Sequence, residues 1–126
     1  MARLREIVFD TDHPAALARF WAAVLDGYSV RAYDGQEVAR LLSLGFTPET
    51  DPTVMVDGPG PLLCFQRRTN PTVERGRLHL DIVGEARERE VARIIELGGQ
   101  VRHKHESHTV MLDPDGNAFC VQDPDS

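Results

Sequence analysis

Residues 4–11, LREIVFDT, alternate or run apolar and are rich in Ile, Val and Phe, the pattern of a strand. The period then changes. Leu17, Phe20, Trp21, Val24 and Leu25 recur at i, i+3, i+4, i+7 and i+8, which predicts a helix with one apolar face. Asp12 or His13 can cap it, Pro14 suits its first turn, and Asp26-Gly27 ends it. Tyr28–Tyr33 reads as a strand, and Val38, Leu41 and Leu42 predict a short helix ending at Gly45. Residues 46–61, rich in proline, glycine and acids, read as loops around a short strand at Thr53–Val56, and Leu62–Arg67 as a further strand. The short helix and these loops are placed to close over a site.

The second half opens like the first. Arg77–Val83 is strand-like, and Val91, Ile94 and Ile95 mark a helix ended by Gly98-Gly99. Strands at 100–105 and 108–112 follow, then the turn Asp113-Pro114-Asp115-Gly116-Asn117 and a strand at Ala118–Gln122. Each half thus runs strand, helix, further strands, a repeat of pattern rather than of residues. The expectation is an α+β fold in one domain over 1–126. Module one covers about 1–68, a linker about 69–76 and module two about 77–126. Each module would present a curved sheet with its helix over one face, leaving the other face free to build a site.

Strand alternation says which side chains reach that free face. Leu78, Leu80 and Ile82 form the face expected to meet the helix, so His79 and Asp81 point away from it. Ile7 and Phe9 likewise oppose Glu6, Val8 and Asp10, and Leu63 and Phe65 oppose Leu62, Cys64 and Gln66. In the final strand Phe119 and Val121 oppose Ala118, Cys120 and Gln122. The free face therefore gathers carboxylates, amides, thiols and an imidazole, all hydrogen-bonding or metal-ligating types. A solvated sheet face would also be polar, but cysteines on it argue for the partial cover of a pocket.

Composition narrows the classes. With 41% apolar and 27% charged residues over 126 positions, the chain can bury a core. A net charge of −6 argues against nucleic-acid or anionic-membrane binding. No apolar run approaches the ~20 residues of a membrane span, and the start lacks the features of a signal peptide. Cys64 and Cys120 make no disulfide framework; they read as small buried groups in a reducing, cytoplasmic setting. Phe20 and Trp21 read as packing. His103, His105 and His108 read as the solvated edge of a hairpin, with His108 nearest the pocket mouth. Asp113-Pro-Asp-Gly-Asn lacks the bidentate Glu of a calcium loop and reads as a turn. Phosphate-loop, dinucleotide and nucleophile-elbow motifs are missing from the sequence.

Three segments carry a resemblance. HPAALARFWAAVLDG resembles the first-helix signature of the vicinal oxygen chelate superfamily, which includes glyoxalase I, extradiol dioxygenases and bleomycin and fosfomycin resistance proteins. RLHLDIVGEAREREVARIIELGG resembles its fifth strand and second long helix, and VMLDPDGNAFCVQ its closing hairpin. The resemblance implies two paired βαβββ modules forming a cupped mixed β-sheet, the glyoxalase/bleomycin resistance/dioxygenase fold, often as a homodimer. It places the superfamily's metal-ligand positions at Glu6, Gln66, His79 and Cys120, the last where a Glu is usual. A thiol there suits Zn²⁺ rather than Ni²⁺, Mg²⁺ or Mn²⁺. The implied function is therefore binding of a small organic molecule without the glyoxalase I reaction and with no cofactor. Glu6, Gln66, His79 and Cys120 form the site, with Asp10 and Asp81 in support, Asp81 fixing the His79 tautomer. The alternative is a divalent-metal-dependent lyase, isomerase or dioxygenase that uses Glu6 and His79 as ligands.

Overall fold

The changes of apolar period become strands and helices in the expected order. The computed structural model describes residues 1–68 and 78–124; the linker expected at about 69–76 lies outside the described residues. β1 (Arg3–Thr11), α1 (Pro14–Val24), β2 (Ser29–Val30), α2 (Gly35–Ser43), β3 (Thr53–Asp57) and β4 (Leu62–Arg67) come first. β5 (Leu78–Val83), α3 (Arg87–Glu96), β6 (Gln100–Lys104), β7 (His108–Leu112) and β8 (Ala118–Gln122) follow. The chain divides into two compact units, Val8–Pro71 and Met1–Ile7 with Thr72–Ser126, so β1 contributes to both. No helix among the described residues is long and apolar enough to cross a membrane.

In the Val8–Pro71 unit the strand order is β2-β3-β4-β1. β3 and β4 pair antiparallel, Val54 opposite Phe65 and Met55 opposite Cys64, and α1 packs against β2, β3 and β4. Phe65 is fully buried and stacks on Phe9 with ring centroids 4.7 Å apart; Phe9 in turn lies 6.0 Å from Trp21 of α1. Phe20 departs from expectation. It is 55% exposed, as is Val24, while Pro14, Ala15 and Ala18 are the buried residues of α1. Small side chains set the helix close to the sheet, and that leaves the bulky residues one position around to face outward. His13 is the N-cap but makes no side-chain cap bond; Thr11 Oγ1 instead accepts from the His13 N–H at 3.0 Å.

The strand expected at Tyr28–Tyr33 shrinks to Ser29–Val30, which pair with Asp57 and Val56. Both flanking tyrosines are drawn elsewhere. Tyr28 lies over Gly58, where an added Cβ would come within 2.4 Å of its ring, and donates to Pro61 O at 3.0 Å. Tyr33 donates to Oδ2 of the buried Asp51 at 2.7 Å, while Asp51 Oδ1 accepts the Thr53 N–H at 3.0 Å.

Burial first, and then the bond to Asp51, push the Tyr33 phenol well above its ordinary range. A phenol whose folded pKa is raised stabilises the fold below about pH 10, where the unfolded chain begins to ionise, and loses that contribution as pH climbs. In a Tyr28→Phe background the tyrosinate absorbance therefore rises only as the protein unfolds in alkali. A reversible rise near pH 10 in folded protein would contradict this coupling.

The other unit has the order β1-β5-β8-β7-β6. β5 and β8 are parallel, and β8–β7 and β7–β6 antiparallel. α3 covers β6, β7 and β8, where Val91, Met111 and Val121 form a core edged by Ile82, Ile94 and Phe119. Ile82 thus meets the helix as expected. Leu78 and Leu80 do not: they are 54% and 42% exposed because α3 does not extend over their end of β5. With Ile82, Phe119, Asp113 and Asn117 they line an open apolar cleft of about 390 Å³.

Arg87 fastens this unit's loops. Nη1 and Nη2 donate to His105 O and Glu106 O at 2.9 and 2.6 Å, and Nε lies 2.9 Å from Asp123 Oδ1. The turn before β8 is organised by Asp113, whose carboxylate accepts the backbone N–H groups of Asp115 and Asn117, each at 2.9 Å. The Asn117 side chain and these backbone donors hold the Asp113 carboxyl below its usual range. Gly116 supplies the left-handed residue of the turn, φ +88°.

Candidate functional site

Register within the β5–β8–β7–β6 sheet decides which side chains share a face. Asp81 is aligned with Cys120, Cys120 with Val110, and Val110 with His103. One row along, Val83 is aligned with Gln122 and Gln122 with His108. Phe119, Val121 and Met111 occupy the alternate positions and pack toward α3, so the first set points to the face without the helix. His79, two residues before Asp81, belongs to that face too.

At its centre His79, Asp81 and Cys120 are 3%, 4% and 2% exposed, and a ligating atom of each lies within 4.8 Å of the others. His79 Nε2 is 3.2 Å from Asp81 Oδ1. Gln122 Nε2 donates to Asp81 Oδ2 at 2.9 Å, and Arg5 Nη1 donates to Gln122 Oε1 at 3.0 Å. The result is a relay of partners, Arg5 to Gln122 to Asp81 beside His79. Hydrogen-bonded networks of this kind fix side-chain orientation. Gln122 and His108 are half-buried and lead from the cluster toward the exposed β6.

The residues expected at the site divide accordingly. His79, Asp81 and Cys120 come together. Glu6 is half-buried on β1 and is not in the group of three. Asp10 and Gln66 belong to the Val8–Pro71 unit, where Gln66 Nε2 donates to Asp10 Oδ1 at 3.0 Å. Arg5 and Gln122 were not singled out by sequence. Alternation puts Gln122 on this face, but its role depends on a parallel register that no local pattern encodes. Cys64 and Cys120 are both buried and form no disulfide.

A family model described as "Glyoxalase-like domain" matches residues 6–122. The chain belongs to the glyoxalase-like domain family. A solved glyoxalase/bleomycin resistance protein/dioxygenase superfamily member from Vibrio splendidus 12B01 is 13% identical to this glyoxalase-like protein. It matches with a TM-score of 0.57 over 98% of this chain and 100% of that one. An uncharacterized protein from Methanosarcina mazei is 9% identical, with a TM-score of 0.47 over 98% and 94% of the two chains. No protein of curated function matches. The α+β fold is thus of the glyoxalase/bleomycin resistance/dioxygenase type, as the first-helix, HLD and closing-hairpin segments implied.

Proposed function

We propose that this glyoxalase-like protein binds a small organic molecule on the helix-free face of β5, β8 and β7, and that it does not carry out the glyoxalase I reaction. The supporting observation is the linked set of buried His79 and Asp81 with half-buried Gln122 and Arg5, together with a thiol, Cys120, where the superfamily usually has a Glu. A carboxylate in that position can take a proton from a substrate carbon; a buried thiol does not replace it as a general base. Asp81, held by Gln122 and facing His79, instead offers fixed polar contacts to a bound hydroxyl or carbonyl group. Two buried thiols outside any disulfide support a cytoplasmic setting, and the superfamily's habit supports a homodimer.

One observation favours a second reading. An imidazole, a carboxylate and a thiol within 4.8 Å fit the donor chemistry of Zn²⁺, with Asp81 joining His79 and Cys120 in place of Glu6. A Zn²⁺ ion there would polarise a substrate carbonyl as a Lewis acid. Gln122 would then orient Asp81 as a ligand, and Arg5 would orient Gln122.

A thermal-shift screen with small phenols, hydroxy acids and dicarbonyls, run with and without a chelator, separates the two. Metal-free binding predicts that a ligand at about 100 times its Kd adds about 2.7 kcal/mol of stability. That gain should survive chelation and disappear in His79→Ala. A gain abolished by chelator and restored by Zn²⁺ establishes the second reading. No stabilisation by any compound in either condition counts against both.

A further inference from the structure

Three of the five histidines gather at the β6–β7 hairpin, away from the buried cluster. The His103 and His105 rings have centroids 4.2 Å apart, and those of His105 and His108 are 4.5 Å apart and nearly parallel at 23°. The hairpin builds this arrangement. His103 and His105 fall on one side of the β6 line, and the His105 N–H donates to His108 O at 2.8 Å, which draws His108 across from them. Arg87 pins the same turn through the carbonyls of His105 and Glu106.

The cationic neighbours are directed elsewhere. Lys104 sits between two of the histidines in sequence but is aligned with Thr109 on the helix side, where its Nζ lies 2.9 Å from Glu88 Oε2 on α3. Ser107 Oγ is 3.0 Å from His108 Nδ1, an oxygen partner of the kind that orients a ligating imidazole. β6 is exposed along its length, so an ion in solvent can reach the rings. Alignment through Val110 places His103 two strands from Cys120, about 10 Å at ordinary strand spacing. One ion cannot serve both sets.

We propose that His103, His105 and His108 form a second cation site, on the surface, for a late first-row divalent metal ion bound through imidazole nitrogens. Neutral imidazole is the side chain best suited to such ions, and three on one rigid turn give the chelation that an isolated surface histidine lacks. As stacked, the rings do not gather their nitrogens as tightly as His79, Asp81 and Cys120 do. Binding of an ion requires the exposed His103 side chain to turn to another staggered rotamer, so that its ring nitrogen meets those of the other two.

Zn²⁺ titration by calorimetry at neutral pH, in a Cys120→Ser background that disables the buried set, tests this. One equivalent of Zn²⁺ should still bind. His105→Ala should weaken it by at least the about 10- to 100-fold that loss of a mere outer partner costs a metal site. Zn²⁺ affinity unchanged by His105→Ala, or no uptake in the Cys120→Ser background, overturns the proposal. Should Cys120→Ser fail to fold, histidine ring proton spectra of the unmodified protein decide. By two equivalents of Zn²⁺ the signals of His103, His105 and His108 must shift; shifts still confined to His79, or absent, refute the site.

Discussion

Asp81→Ala lowers the stability of the folded protein by about 3 kcal/mol, a fall in melting temperature of about 10 °C for a domain of this size. The Asp81 side chain is almost fully buried, accepts from Gln122 and stands 3.2 Å from His79 Nε2. Its removal leaves the half-buried Gln122 amide short of its acceptor and takes away the buried carboxylate beside His79, and an unsatisfied donor costs more than the bond itself was worth. Asp81→Asn keeps an oxygen for Gln122 and should lose less than half as much. If the alanine variant melts within about 2 °C of the unmodified protein, the relay from Arg5 through Gln122 does not hold as described.

Phe65→Ala costs about 3–5 kcal/mol, the usual range for a buried aromatic cut to a methyl group. Its ring is wholly buried and stacked on Phe9, which joins the sheet to Trp21 of α1, so the neighbours cannot close the void without moving the helix. Phe20→Ala, on the same helix as Trp21 but 55% exposed, should change stability by about 0.5 kcal/mol or less. Urea unfolding of the two variants checks the contrast through the midpoint, with an unchanged slope confirming that the folded states are comparable. Equal losses would show that Phe20 is covered in solution.

The periodicity of the sequence treats those two phenylalanines alike, and the difference shows what a single chain reveals. Local period identifies Leu62–Arg67 and Ala118–Gln122 to the residue, because strand alternation bounded by turn residues is a short-range property. It also separates His79 and Asp81 from Leu80 and Ile82, since a strand has only two faces. Whether a face is covered is a tertiary matter. Leu78 and Leu80 lie on the helix side, yet α3 does not reach them, and α1 buries Ala15 and Ala18 rather than Phe20. The pairing of Asp81 with Cys120 was equally hidden, because register between distant strands leaves no trace in either strand's own pattern. Tyr33 looked like the end of a strand and is instead the partner of Asp51. A short apolar run cannot show that a hydroxyl has a buried acceptor elsewhere.

The parallel pairing of β5 with β8 bears on the order in which the molecule forms. Asp81 and Gln122 are 41 residues apart, and no hairpin can bring parallel neighbours together. α3 and the β6–β7 hairpin can form from nearby contacts, whereas the buried cluster must wait for β8 to close a long loop back to β5, and non-local closures of this kind are the slow ones. During synthesis, His79 and Asp81 emerge well before Cys120 and Gln122, so the polar cluster stays open to water until the closing strand inserts. Any fluctuation that lifts β8 away dismantles the cluster in a single step, while the hairpin histidines remain close together on their own turn.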